Sequence, residues 1–131
     1  MEENNTFVVD SSFLLAYLLP DEAANIVQQF FDKLKSENIQ LIAPSLLIFE
    51  IFNGLQTAVM RKRVNITLAK ELGKRFLLMS IELVEIDSMK TLQLADKHKL
   101  TFYDASYLYL SKFQHAELLT LDKKLKRNYS S

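Results

Sequence analysis

The chain has 131 residues, 49% of them hydrophobic, which suits one domain with its own core and is too apolar for a disordered segment. Sixteen basic residues balance sixteen acidic ones, which excludes a uniformly basic nucleic-acid-binding surface, and the lack of cysteine excludes disulfides, thiol nucleophiles and cysteine-ligated metal centres. No apolar run approaches the ~20 residues of a membrane span, and Met1–Thr6 carries no signal-peptide pattern, so a cytoplasmic protein is expected.

In chain order, Thr6–Asp10 reads as a short buried strand and Ser12–Leu19 as a helix ended by Pro20. Asp21–Ser36 reads as a second helix with Asp21 as its N-cap, and Leu41–Ala43 as a second strand. Pro44 suits the first position of a long helix reaching about Arg63, and another helix spans about Asn65 to Ser80. A strand at Leu83–Ile86 follows, then a helix capped by Asp87 or Ser88 and running to about His98. Thr101 caps a helix over about Phe102–Phe113; Glu117–Leu121 is a last strand before a short final helix. Strands alternating with helices imply βαβ units, hence a three-layer α/β/α sandwich around a short, mostly parallel sheet. Ligands in such folds gather beyond the carboxyl ends of the strands.

Four carboxylates interrupt or end the most apolar segments: Asp10, Glu50, Asp104 and Asp122. Asp10 and Asp122 follow strands, so both occupy that carboxyl edge. A buried carboxylate costs several kcal/mol unless compensated, and two of them ~5 Å apart at an effective dielectric of ~20 repel by roughly 3 kcal/mol. No cationic side chain adjoins the first three in sequence, so the natural compensator is a divalent metal ion. Each acid also has a plainer reading. Asp10 and Asp122 suit helix caps, Asp104 follows Thr101 by three residues like a capping box, and Glu50 shares a polar helix face with Asn53 and Thr57.

Ser11 and Ser12 can place a hydroxyl beside a metal-bound water, and Asn53 and Thr120 are candidates to support the acids. Arg61-Lys62-Arg63 and the run Lys123, Lys124, Lys126, Arg127 are the two basic clusters, from which Arg61, Lys123 and Lys124 are candidate phosphate contacts. His98 and His115 lack a second histidine at ligand spacing. Tyr103, beside Asp104, is the aromatic expected at the cleft, whereas Phe30, Phe31, Phe76 and Leu77 are candidates for an apolar interface.

Taken together, these strings resemble the PIN-domain family, and within it the VapC-type toxins. Val8-Val9-Asp10-Ser11-Ser12-Phe13-Leu14-Leu15-Ala16-Tyr17 is similar to the family's opening, and Pro44-Ser45-Leu46-Leu47-Ile48-Phe49-Glu50-Ile51-Phe52-Asn53 to its glutamate helix. Leu94-Ala95 with His98, Leu100-Thr101-Phe102-Tyr103-Asp104-Ala105, Tyr107-Leu108 and Leu118-Leu119-Thr120-Leu121-Asp122 are similar to its second half. The resemblance implies a magnesium- or manganese-dependent endoribonuclease with Asp10, Glu50, Asp104 and Asp122 as catalytic, metal-binding acids. It also implies an RNA substrate, a cognate antitoxin and a homodimer. Two departures stand out: the chain stops at Asn128-Tyr129-Ser130-Ser131 where relatives often continue into an edge strand, and Asp122 lacks a neighbouring acid or Asn. The rival readings are a non-catalytic PIN-like interaction module and a stand-alone nuclease without an antitoxin. A phosphoacceptor receiver or a two-aspartate phosphatase fits poorly, because Ser11 and Ser12 follow Asp10.

Overall fold

Four short apolar runs become the strands of one parallel sheet in the computed structural model, which describes residues 5–22 and 24–130. Met1–Asn4, on which the signal-peptide reading largely rested, lie outside the described residues, as does Ser131. Strand β1 (Thr6–Val9) is flanked by β2 (Gln40–Pro44) and β4 (Glu117–Leu119), and β3 (Ile81–Val84) lies outside β2, giving the order β3-β2-β1-β4. Val8 stands opposite Ile42 on one side and Leu118 on the other. These central residues are buried, as expected of a parallel sheet covered on both faces. Among the described residues no fifth strand follows β4.

Among the described residues seven helices cover the sheet in the α/β/α arrangement: α1 (Ser11–Leu18), α2 (Asn25–Ser36), α3 (Leu46–Met60), α4 (Ile66–Leu77), α5 (Ser88–His98), α6 (Phe102–Gln114) and α7 (Lys123–Ser130). Helix α1 packs on α2 and α3, and α3 on α4; α6 packs on α5, α7, β1 and β2. Helix α6 is the hub, burying Ala105, Ser106, Tyr107, Leu108, Leu110 and Ser111. Each fully buried leucine there contributes roughly 1.5–3 kcal/mol of transfer free energy, which holds α6 firmly across the sheet. Gly73 faces the Phe52 ring so closely that a Cβ would stand 2.7 Å from it, so its missing side chain sets the α3–α4 approach.

Several sequence-based boundaries shift, among them the end of β4, which lies at Leu119 and not Leu121. Helix α2 begins at Asn25 with Ala24 in the N-cap position, not at Asp21. Asp21 instead receives two hydrogen bonds from Arg63, at 2.7 and 2.8 Å, and a charge-assisted fork outcompetes a single backbone cap. Pro44 ends β2 opposite Val84 and does not open a helix, since a strand end tolerates its missing N–H. Strand β3 spans Ile81–Val84, two residues earlier than expected, because pairing Ile81 with Leu41 continues the apolar register of β2. The apolar interface expected at Phe30, Phe31, Phe76 and Leu77 is also mostly core. Phe31 and Phe76 are buried, Phe30 packs against them in part, and only Leu77, 60% accessible, faces outward.

Candidate active site at the carboxyl edge of the sheet

The connectivity directs four helix beginnings to one edge. Helices α1, α3 and α7 leave the carboxyl ends of β1, β2 and β4, while α6 runs back toward the start of β4 and so begins at that same edge. Asp10 is the N-cap of α1, Asp104 lies in the first turn of α6, Asp122 caps α7, and Glu50 is one turn into α3. The partial positive charge at each helix start favours carboxylates there, worth typically 0.3–1 kcal/mol apiece. That is too little to offset burial.

Asp10 is the most enclosed, 5% accessible, at the end of the central strand. Its Oδ1 accepts from the Ser12 hydroxyl at 2.7 Å and from Phe13 N–H at 3.1 Å, and its Oδ2 accepts from the Thr120 hydroxyl. The ring of bonds continues outward. Leu121 N–H donates to Ser12 Oγ at 2.9 Å and Asp122 N–H to Thr120 Oγ1 at 3.0 Å, so the segment after β4 is locked to the start of α1. Burial nevertheless pushes the Asp10 carboxyl up to about 6; the Thr120, Ser12 and Phe13 bonds oppose this and nearby Glu50 adds to it.

Glu50 is half-buried, and the Tyr107 hydroxyl donates to its Oε1 at 2.6 Å. Burial raises its pKa, Tyr107 counteracts, Asp104 raises it further, and the Ser11 hydroxyl lowers it. Burial also raises Asp104; Asp122 adds to this while Thr101 and Lys124 reduce it. The chain of influence Asp10–Glu50–Asp104–Asp122 therefore links all four acids, and Tyr107 feels Glu50, Asp10 and Asp104 together. Thr101 Oγ1 accepts from Asp104 N–H at 3.0 Å, and Asp122 Oδ1 from Leu125 N–H at 2.8 Å. The capping readings of Asp10 and Asp122 are thus present in the structure, and each accounts for a single carboxylate oxygen.

The remaining sequence-derived candidates divide clearly. Ser11 and Thr120 touch the acids as described. Asn53 is exposed on α3, three residues beyond Glu50. Lys123 and Lys124 occupy the first turn of α7, a place the helix dipole disfavours for cations, and Lys124 donates to the Lys99 carbonyl while lying near Asp104. Arg61 is not brought to the site: it caps the far end of α3, roughly 16 Å along the helix from Glu50. Tyr107 was not singled out from sequence, although its position three residues after Asp104 places both near one side of α6. Ser12, weighed only beside Ser11, is the serine that binds Asp10.

The donors at this edge are all oxygens, four carboxylates and the hydroxyls that bind them, which suits a hard divalent cation such as Mg2+ or Mn2+. Among the described residues no three acidic or imidazole side chains converge closely enough to cage an ion unaided. The fit is therefore to an ion that keeps most of its waters and uses one or two carboxylates, the habit of magnesium.

The fold is that of a PIN domain, and the PIN-domain family pattern matches residues 7–130; the chain belongs to that family, whose members are generally nucleases. PAE2754 from Pyrobaculum aerophilum is structurally similar, with a TM-score of 0.76 and 26% identity over 94% of this chain and 84% of that one. The sarcin-ricin-loop-cleaving toxin VapC20 of Mycobacterium tuberculosis shares the fold, with a TM-score of 0.66 and 12% identity over 92% of this chain and 93% of that one. No curated protein sequence matches.

Proposed function

We propose that this PIN domain is a magnesium- or manganese-dependent endoribonuclease that hydrolyses RNA phosphodiester bonds, acting in the cytoplasm as the toxin of a VapBC-type pair. The observation that carries the reading is the gathering of acids at one sheet edge, where Asp10 is 5% accessible and held by Ser12, Thr120 and Phe13, Glu50 is held by Tyr107, and burial raises Asp10, Glu50 and Asp104 alike. A fold maintains such a cost where the charge is used.

In this reading Asp10 and Asp104 would hold the ion, and Glu50 and Asp122 would complete its surroundings directly or through water. When bound, such an ion would supply the positive charge that makes the acids compatible with one another and the Lewis acidity that phosphodiester hydrolysis needs. Ser12 and Thr120 fix both oxygens of Asp10, so the carboxylate is aimed before substrate arrives. Tyr107 fixes Glu50 in the same way. Lys123 and Lys124 hold the phosphate backbone at the rim, their unfavourable place at a helix start being repaid by the phosphate they contact. The fold shared with VapC20, itself a toxin, supports the toxin assignment. An antitoxin would then set a basic side chain among the acids, and the exposed Leu77 and Leu78 offer apolar surface for a homodimer.

The test is hydrolysis of structured RNA in Mg2+ or Mn2+, with EDTA as the control and Asp104→Asn beside the wild type. Cleavage should vanish with EDTA and fall about a hundredfold or more in the variant. Undiminished cleavage by the folded variant ends the proposal.

A further inference from the structure

Among the described residues α7 is the only helix that carries several cations and no acid: Lys123, Lys124, Lys126 and Arg127. Helix α4 places Glu71 between Lys70 and Lys74, and α5 places Asp96 beside Lys97, the mixed pattern of an ordinary soluble surface. The cations of α7 also stand against its own dipole, because its first turn holds Lys123 and Lys124 and no acid. With these four set aside, sixteen acids face twelve basic residues in the rest of the chain. A chain without net charge thus sets a positive patch on one short helix.

Packing fixes where that patch points. Leu125 is fully buried, which turns the opposite stripe to solvent: Lys123, Lys126 and Arg127, at spacings of three and four. One flank of α7 is tied to the end of α5. There Lys124 Nζ donates to the Lys99 carbonyl, and His98 Nδ1 donates to Asn128 Oδ1 at 2.9 Å. The other flank brings Tyr129 to a shallow recess of about 400 Å3, lined also by Lys112 and His115 from the end of α6 and by one acid, Glu117. The stripe begins beside the acids, since Lys123 follows Asp122. The recess lies at the amino edge of the sheet, since Glu117 opens β4. Between them α7 runs about 12 Å, which at ~3.4 Å or more per nucleotide is room for two or three phosphates.

Building on the nuclease reading, we propose that the outward stripe of α7 is a phosphate track, leading RNA from the acids along Lys123, Lys126 and Arg127 toward the recess at Lys112. The track accounts for how a chain without net charge holds a polyanion whose reacting phosphate must enter among carboxylates. Its contacts are to the backbone and remote from the cut, so affinity depends on length and salt and not on base identity.

The experiment measures fluorescence anisotropy of labelled oligoribonucleotides of about four and about twelve nucleotides, with Ca2+ in place of Mg2+ and NaCl varied; cleavage is read in Mn2+. Wild type is compared with the double variant Lys126→Gln, Arg127→Gln, and with Lys70→Gln, Lys74→Gln on α4 as an equal change of charge elsewhere. For the longer oligomer the α7 variant should raise Kd and KM about tenfold at low salt. Its salt dependence, log Kd against log[NaCl], should flatten by about 1–1.5, and kcat should stay within about threefold. For the shorter oligomer the two proteins should agree within about twofold, and the α4 variant should match wild type at both lengths. An α7 variant that binds the longer oligomer like wild type overturns the track and leaves the nuclease reading standing. So does a loss equal at both lengths, a loss shared by the α4 variant, or a wild type that binds neither oligomer. Length-dependent loss of binding with no cleavage by wild type in Mn2+ removes the nuclease reading and upholds the track.

Discussion

Two groups of carboxylates in this molecule meet opposite fates. At the loop before α2, Asp21 and Glu22 share the guanidinium of Arg63, with contacts of 2.7 and 2.6 Å. Arg63 holds the Asp21 carboxyl below its ordinary range, and both acids hold the guanidinium proton more tightly. At the carboxyl edge of the sheet, Asp10, Glu50 and Asp104 are all pushed upward, and among the described residues Lys124 offers the only cationic relief, at Asp104. The first group is what a sequence does with acids when only folding is at stake. The second keeps its charges apart from cations and supports them with hydroxyls, which orient a carboxylate without neutralising it. That difference marks the site more clearly than any one residue does.

The largest expected effect divides stability from activity. Asp10→Asn should abolish cleavage, lowering it about a hundredfold or more, yet the metal-free variant should melt higher than the wild type. Raising a carboxyl from 3.8 to about 6 costs the folded state about 3 kcal/mol at neutral pH. Asparagine keeps an oxygen for Ser12 and Phe13 but presents an NH2 group to Thr120, so a net gain of about 1–2 kcal/mol is expected by thermal melting. The sign in pH is fixed too. Because the folded pKa lies above the unfolded one, the relative stability that protonation of Asp10 gives is fully present below pH ~4 and is lost as pH rises through about 6. Glu50 and Asp104 shift the same way, so metal-free wild type should weaken over that window and Asp10→Asn should weaken less. A variant that melts lower at pH 7 contradicts the idea of an uncompensated site.

An intermediate effect belongs to Tyr107→Phe. The ring stays, and only the 2.6 Å bond to Glu50 is removed. Leaving a half-buried carboxylate without that donor should cost about 1–2 kcal/mol of stability at neutral pH. Cleavage should drop about tenfold and require more Mg2+ for half-maximal rate, since Glu50 is no longer held. An unchanged metal requirement would show that Tyr107 serves packing alone.

How much of this was legible beforehand depends on the range of the forces involved. Alternation of apolar runs and the caps at Asp87 and Thr101 are local signals, and the architecture follows from them. The four acids were found because a carboxylate in an apolar segment is conspicuous in any register. What escaped was set by pairs far apart in sequence. Asp21 looked like a cap because Arg63, its partner, lies 42 residues away. Tyr107 looked like core because its ring is core; only its hydroxyl, meeting Glu50 across 57 residues, belongs to the site. Arg61 was grouped with the site by charge, and the straightness of a 15-residue helix carries it away. Phe31 and Phe76 suggested an interface on hydrophobicity that the core had already used.

The smallest effect tests the other side of the comparison. Arg63→Ala releases Asp21 and Glu22 into solvent that already reaches them, so the loss of stability near pH 7 should be slight. Its pH dependence runs opposite to that of the sheet edge. Asp21 has a lowered folded pKa, so its contribution is present above the unfolded value and disappears as pH falls through the folded one. Melting curves from pH 7 down to about 3 should therefore draw wild type and Arg63→Ala together at the acid end, while wild type and Asp10→Asn separate most near neutrality. Cleavage by Arg63→Ala should match the wild type, because the guanidinium belongs to the compensated group and not to the acids that face the substrate. A pronounced loss of cleavage in this variant would mean that the two groups are coupled through the start of α4, and that the division between structural and functional charge is drawn in the wrong place.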